Sequence, residues 1–122
     1  MSKVRETGMK LDIPDVPPSL NRTLRMHWAK KQDIKNSWIL LIRQQLNGAY
    51  LKPIVKMRCK ITLCHARAYD KDNLYGSVKP LVDALRFNRL IMDDTAKYLD
   101  LTVEQSQCAH KERHTVIELD PA

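Results

Sequence analysis

The chain has 122 residues, 43% of them hydrophobic and 29% charged, with a formal net charge of +7 and three cysteines. That is the size and composition of one folded domain (residues 1–122), with residues 1–8 expected to be flexible, and it leaves no room for a second core. The longest apolar stretch, Trp38 to Ile42, is far too short to span a membrane, and an odd cysteine count without framework spacing excludes a disulfide scaffold.

The first element expected is a short strand over residues 9–13, MKLDI, stopped by Pro14 and by Pro17-Pro18. A polar, basic loop follows through Asn21, Arg22 and Arg25. A helix is then expected from about His27 to Leu46, because Ile34, Trp38, Leu41 and Ile42 recur at the helical period, with Asn47-Gly48 as its stop. Val55 to His65 reads as a strand in which Val55, Met57, Cys59, Ile61 and Leu63 alternate with Lys56, Arg58, Lys60 and Thr62. The three cations on its polar side fit the wet face of an antiparallel sheet better than a phosphate contact.

A second helix is expected with Val78, Leu81, Val82 and Leu85 on one face, Ser77 as its N-cap and Pro80 in its first turn. Asp72 to Gly76 would be a preceding turn, or a helical turn kinked near Gly76. Phe87-Asn88-Arg89 closes the helix, and strands over Tyr98–Val103 and His114–Leu119 complete the order β-α-β-α-β-β. The fold class expected is α/β: a mixed sheet of about four strands with two main helices packed on one side.

Charge is unevenly spread. Between Asn21 and Lys60 there are ten basic residues, among them Arg22, Arg25, Lys30, Lys31 and Lys35, against the single acid Asp33; the rest of the chain is slightly acidic. Such asymmetry suits a phosphate polymer held by one half of the molecule. The acidic half supplies the informative stretch, residues 69–94, where Asp70 and Asp72 stand two apart, Lys79 follows, and Asp93-Asp94 come after the helix. Acids converging from separate elements repel unless a cation bridges them. Mg²⁺ takes one or two protein carboxylates and completes its shell with water and phosphate; Mn²⁺ is the alternative ion. A metal so held activates water and offsets charge on a phosphodiester.

If the chain were helical from Asp72 to Lys79, the two would share a face, and the ammonium could reach the same phosphate. Asp83 would position Lys79 as its i, i+4 partner. Each part also has a plain structural role: Asp70-x-Asp72 with Asn73 is common turn chemistry, and an Asp pair before a strand is a common cap. Cys59, Cys64, His65, Cys108, His110 and His114 can be assembled into a zinc site on paper. Cys59 and Cys64 should point to opposite faces of a strand, however, and no CxxC pair exists; buried or inert thiols are expected.

Pro17-Pro18-Ser19, Asn21-Arg22, Asp70-x-Asp72-Asn73-Leu74, Lys79, Asp83-Ala84-Leu85 and Asp93-Asp94 together make the chain resemble the RusA family of Holliday-junction resolvases, from about Leu11 to Leu119. These are small endodeoxyribonucleases often carried by phages and prophages. The stretch MSKVRETGMK lacks the apolar core of a signal peptide, so an intracellular, cytoplasmic protein is expected; the resemblance implies a homodimer whose Mg²⁺-dependent sites make paired symmetric nicks in a four-way DNA junction. It implies Asp70, Asp72 and Asp94 as the metal-binding acids, Asp93 in a lesser role and Lys79 as the catalytic lysine. Five residues separate Asn73 from Lys79 where the family pattern has three. Asn21, Arg22, Arg25, Lys30, Lys31 and Arg67 are the candidate DNA contacts; Trp28, Trp38 and Leu99 are candidates for the dimer surface. Another branched-DNA nuclease and a non-cleaving DNA-binding protein are the alternative functions.

Overall fold

The computed structural model describes residues 3–5, 9–46, 49–51 and 56–122. Its centre is one four-stranded mixed sheet, so the fold is α/β as expected. In chain order the elements are β1 (Lys3–Arg5), β2 (Met9–Ile13), α1 (Leu20–Leu24), α2 (Trp28–Leu46), β3 (Ala49–Leu51), β4 (Met57–His65), α3 (Lys71–Ser77), α4 (Lys79–Phe87), β5 (Leu99–Gln107) and β6 (His114–Pro121). The sheet order is β2-β6-β4-β5. β4 and β5 run parallel, joined by the α3–α4 crossover, and the other two pairings are antiparallel. Within the stretch expected to be flexible, β1 forms a two-stranded parallel pairing with β3; the rest of residues 1–8, the Asn47-Gly48 stop and Val55 lie outside the described residues.

Alternation sorts the two faces of the sheet. Leu11, Ile13, Met57, Cys59, Ile61, Leu63, Ile117 and Leu119 point to one side and are buried. Helices α2 and α4 close this side with Trp38, Ile39, Ile42, Leu81, Val82 and Leu85. Trp38 and Leu99 are 2% and 5% exposed, which removes both as dimer-surface candidates, because their apolar area is already spent on the core. Trp28 is 73% exposed. Cys59 is an inert core thiol, its pKa pushed up to about 12 by burial.

On the other face the cations of β4 stand opposite acids on the neighbouring strands. Arg58 stands between Asp120 of β6 and Asp100 of β5, and Lys60 is opposite Glu118 and 3.4 Å from Glu104. These cations therefore belong to a wet, charge-alternating sheet face, as the strand pattern suggested.

The crossover corrects the expected helix. Val78, not Ser77, is the N-cap of the expected helix α4, and the Asp72–Gly76 stretch before it is helical as part of α3, which Asp70 caps. Ser77 is buried, with its hydroxyl donating to the Leu74 carbonyl at 2.6 Å. The helix breaks at Val78 because Pro80 has no N–H to continue the ladder, and α4 restarts with Pro80 in its first turn. It ends in a Schellman motif: Leu90 N donates to Leu85 O and Arg89 N to Arg86 O, with Arg89 in the left-handed region at φ 61°. Asn88 ties this end to α2 through the Ile39 carbonyl at 3.2 Å.

The loop expected between β2 and α2 contains a helix. Ser19 caps α1, its Oγ accepting from Arg22 N at 3.3 Å. α1 packs directly on α3 where Gly76 lacks a side chain: a Cβ there would lie 2.6–2.8 Å from Leu20. Only glycine permits that approach. No helix among the described residues is long and apolar enough to cross a membrane.

Candidate active site

The chain leaves β4 at His65 and reaches Asp70 under the control of one buried-side residue, Gln105 of β5. Its Oε1 accepts from Tyr69 N at 3.0 Å and lies 2.9 Å from His65 Nε2, while its Nε2 donates to Tyr69 O at 2.7 Å. An oxygen that only accepts requires the His65 proton on Nε2. The His65 and Tyr69 rings meet edge-on at 4.5 Å, and the Tyr69 hydroxyl donates to Pro17 O at 3.0 Å. Both sides of residue 69 are thus clamped, which fixes where Asp70 begins α3.

Asp70 caps that helix: Oδ1 accepts from Asn73 N at 2.9 Å and Oδ2 from Asn73 Nδ2 at 3.0 Å. Asn73 Oδ1 in turn accepts from Asn21 N at 2.9 Å, so one amide links the carboxylate to α1 and orients its neighbour Arg22. Each Asp70 oxygen keeps a lone pair beyond these bonds. Asp72 sits exposed in the first turn. The ion pairs among the described residues engage neither of them, nor Asp94. Two solvent-facing carboxylates with hard oxygen donors fit Mg²⁺, which needs few protein ligands and several waters.

Asp93 and Asp94 stand apart from that pair. The chain enters β5 beside Met57, at the start of β4 rather than at its end. Among the described residues, no set of three carboxylates brings its oxygens within 4.8 Å; one group does meet that spacing, and it is Cys64, Cys108 and His114. Asp93 accepts from Asp94 N at 2.8 Å and from Arg86 at 3.4 Å. The Asp94 bonds foremost, then Arg86, hold its carboxyl below the usual range. Its contribution to stability is therefore present above the ordinary carboxylate pKa and is lost as pH falls through the lowered value.

Basic side chains converge beside Asp70. An open cleft of about 700 Å³ is lined by Arg22, Lys30 and Arg67 together with His65, Tyr69 and His110, and by Arg113 paired with Asp15 at 3.7 Å. Burial pushes the Tyr69 pKa up, and the nearby Arg22 charge opposes that shift. Arg22, Arg25, Asn21 and Lys30 also line an adjoining hollow, so five of the six predicted contacts share this end of the molecule, counting Arg67. Lys31 instead lines a separate groove with Lys79, Asp83, Leu24 and Trp28.

Lys79 and Asp83 form no ion pair within 4.0 Å among the described residues, and the break at Val78 means the condition of a continuous helix from Asp72 to Lys79 is not met. Gly76 lies against α1, and Asp72 is one turn before it. Gly76 and Lys79 line one groove with Leu20 and Leu24 of α1.

Gln105, Tyr69, Arg113 and His110 join the site without a sequence motif to mark them. Gln105 continues the inward alternation Leu99, Leu101, Val103 of β5, and a glutamine at an inward position is the signal that it serves a polar loop. Arg113 and His110 come from the β5–β6 connection, whose approach to β4 no local pattern reveals. Searches of the sequence against protein-family models and against curated proteins give no match.

Proposed function

We propose that the protein is a metal-dependent DNA endonuclease acting on branched DNA, with the four-way junction as substrate. One observation supports it most: a cleft carrying Arg22, Lys30 and Arg67 opens beside the helix start that bears the exposed Asp70 and Asp72 and that Gln105 and Asn73 hold in place. The cleft cations would grip the phosphate backbone, which contributes affinity without sequence information. Asp70 and Asp72 would hold Mg²⁺, with water and the phosphate completing its shell; Asp94, toward the opposite end of β4 and β5, stands outside this set. The ion would supply a lowered pKa for bound water and a counter-charge for the phosphodiester. Asp72, with no protein partner among the described residues, is the carboxylate available to orient the attacking water. Lys79 would act as a point charge on phosphate from the α1-facing side.

A two-fold junction needs two cuts, and a C2 homodimer supplies two related sites. Leu24 and Trp28, 65% and 73% exposed, are the most exposed of the large apolar side chains among the described residues and would suit such an interface.

The test is a synthetic four-way junction beside its matched linear duplex, each incubated with the protein in Mg²⁺ and in EDTA. Paired nicks on the junction alone, absent in EDTA, are the expected result. Tight junction binding without cleavage under any divalent cation would leave a structure-selective binding protein instead.

A further inference from the structure

We propose that Cys64, Cys108 and His114 form a second, separate metal site that takes one thiophilic cation of the Zn²⁺ class and staples the ends of β4, β5 and β6. Cys64 is the penultimate residue of β4 and is paired directly with His114, the first residue of β6. On its other side Cys64 is paired with Ser106 of β5. Cys108 lies two residues beyond Ser106, so alternation returns it to the same face, and its N–H donates to the His65 carbonyl at 3.1 Å. Three neighbouring strands thus deliver one ligand each to one spot.

The three ligand atoms lie within 4.8 Å of one another. Around a tetrahedral Zn²⁺, with bonds of about 2.0–2.3 Å, ligand atoms stand roughly 3.5–3.8 Å apart. Closing that difference takes about 1 Å of side-chain movement. A second observation concerns the imidazole. His114 Nδ1 is 2.9 Å from the Glu112 carbonyl oxygen, which can only accept, so Nδ1 carries the proton and Nε2 keeps its lone pair. An N–H donated to a backbone carbonyl is the usual way a ligating histidine is oriented.

The donor set decides the ion. Two sulfurs and an imidazole select a soft or borderline cation and are poor ligands for Mg²⁺, so this site and the aspartates sort metals by chemistry. Cys64 is buried, while Cys108 and His114 are half-exposed, leaving a fourth position to water. The site lies on the face opposite His65 and Gln105, under the strand ends from which the clamped loop to Asp70 departs. Its role is to hold those ends together.

Co²⁺ titrated into the reduced full chain is the probe. The sulfur-to-metal charge transfer and the strong visible bands of tetrahedral cobalt should saturate at one equivalent, and Zn²⁺ should abolish them while raising Tm. Asp72→Asn should bind identically, because the aspartates take no part. Cys59→Ser should also be unaffected. Cys108→Ser, at a half-exposed position, and His114→Ala should each weaken binding by more than about 100-fold, beyond the loss usual for an outer-shell partner. Absence of the thiolate band in folded, reduced protein would overturn the proposal. Retention of the band in Cys108→Ser would overturn it too, as would a Cys64–Cys108 disulfide whose reduction restores no metal binding.

Discussion

Where β4 gives out, the helix-covered face of the sheet presents carboxylates and guanidinium groups, whereas the open face presents two thiols and an imidazole. The first set is exposed and spread along a helix start, held by Asn73 and Gln105. The second is drawn together by strand pairing alone. Hard, solvated donors can stand apart and share an ion with water and phosphate; soft donors act by closing around it. The two faces also differ in how they use cations. Arg22, Lys30 and Arg67 line a cleft beside Asp70, while Arg58 and Lys60 are matched by acids on neighbouring strands. Net charge alone would not separate a phosphate-gripping cation from one that stands opposite acids.

The largest effect that sharpens this contrast is expected in the cleft. Replacing Arg22 and Arg67 by alanine should weaken junction and duplex binding alike. If each contacts one phosphate, the salt slope of log affinity should flatten by roughly 1.8. An unchanged slope by fluorescence anisotropy would remove the cleft from the interface. Next comes the contact that seats α1. Gly76→Ala should cost about 1–3 kcal/mol in urea unfolding by overpacking against Leu20, and should also lower cleavage by displacing Asn21 and Arg22. A neutral outcome would mean that α1 yields freely.

A smaller change of opposite sign is expected at Arg89, whose φ of 61° suits glycine. Arg89→Gly should gain about 1 kcal/mol, read as a higher Tm with no change in DNA binding. Smallest of all, Arg58→Gln with Lys60→Gln should move stability by no more than about 0.5 kcal/mol per site and leave the salt slope as it was. A flattened slope there would place DNA on the open face.

Much of the fold was legible because single elements carried strong local patterns. β2 was readable to the residue, and the buried face of α4 followed from Val78, Leu81, Val82 and Leu85. α1 escaped because it buries no residue and so shows no period; Ser19 as a cap was its one cue. β5 extends past Val103 because Glu104 to Gln107 continue the pairing with β4 without an apolar alternation to mark it. Asp70 and Asp72 were visible as a motif, and their setting beside a basic cleft was partly foreseen from Arg22, Lys30 and Arg67. The thiol–imidazole group lay within a six-residue set that the sequence offered, but the lack of a CxxC pair argued against it and nothing singled out these three. Cys64 and Cys108 are far apart in sequence, and they meet only because β4 lies between β5 and β6.

The central claim is that binding and cutting occupy adjacent parts of one end of the sheet, the cleft gripping and the aspartates cutting. Asp72→Asn tests it most directly, with junction affinity and single-turnover cleavage measured on the same preparation in Mg²⁺. The account predicts affinity within about twofold of the parent and cleavage reduced by about 10²–10³-fold, the scale on which loss of one preorganised charge-stabilising group is felt. Cleavage at the parental rate with the carboxylate gone would contradict it.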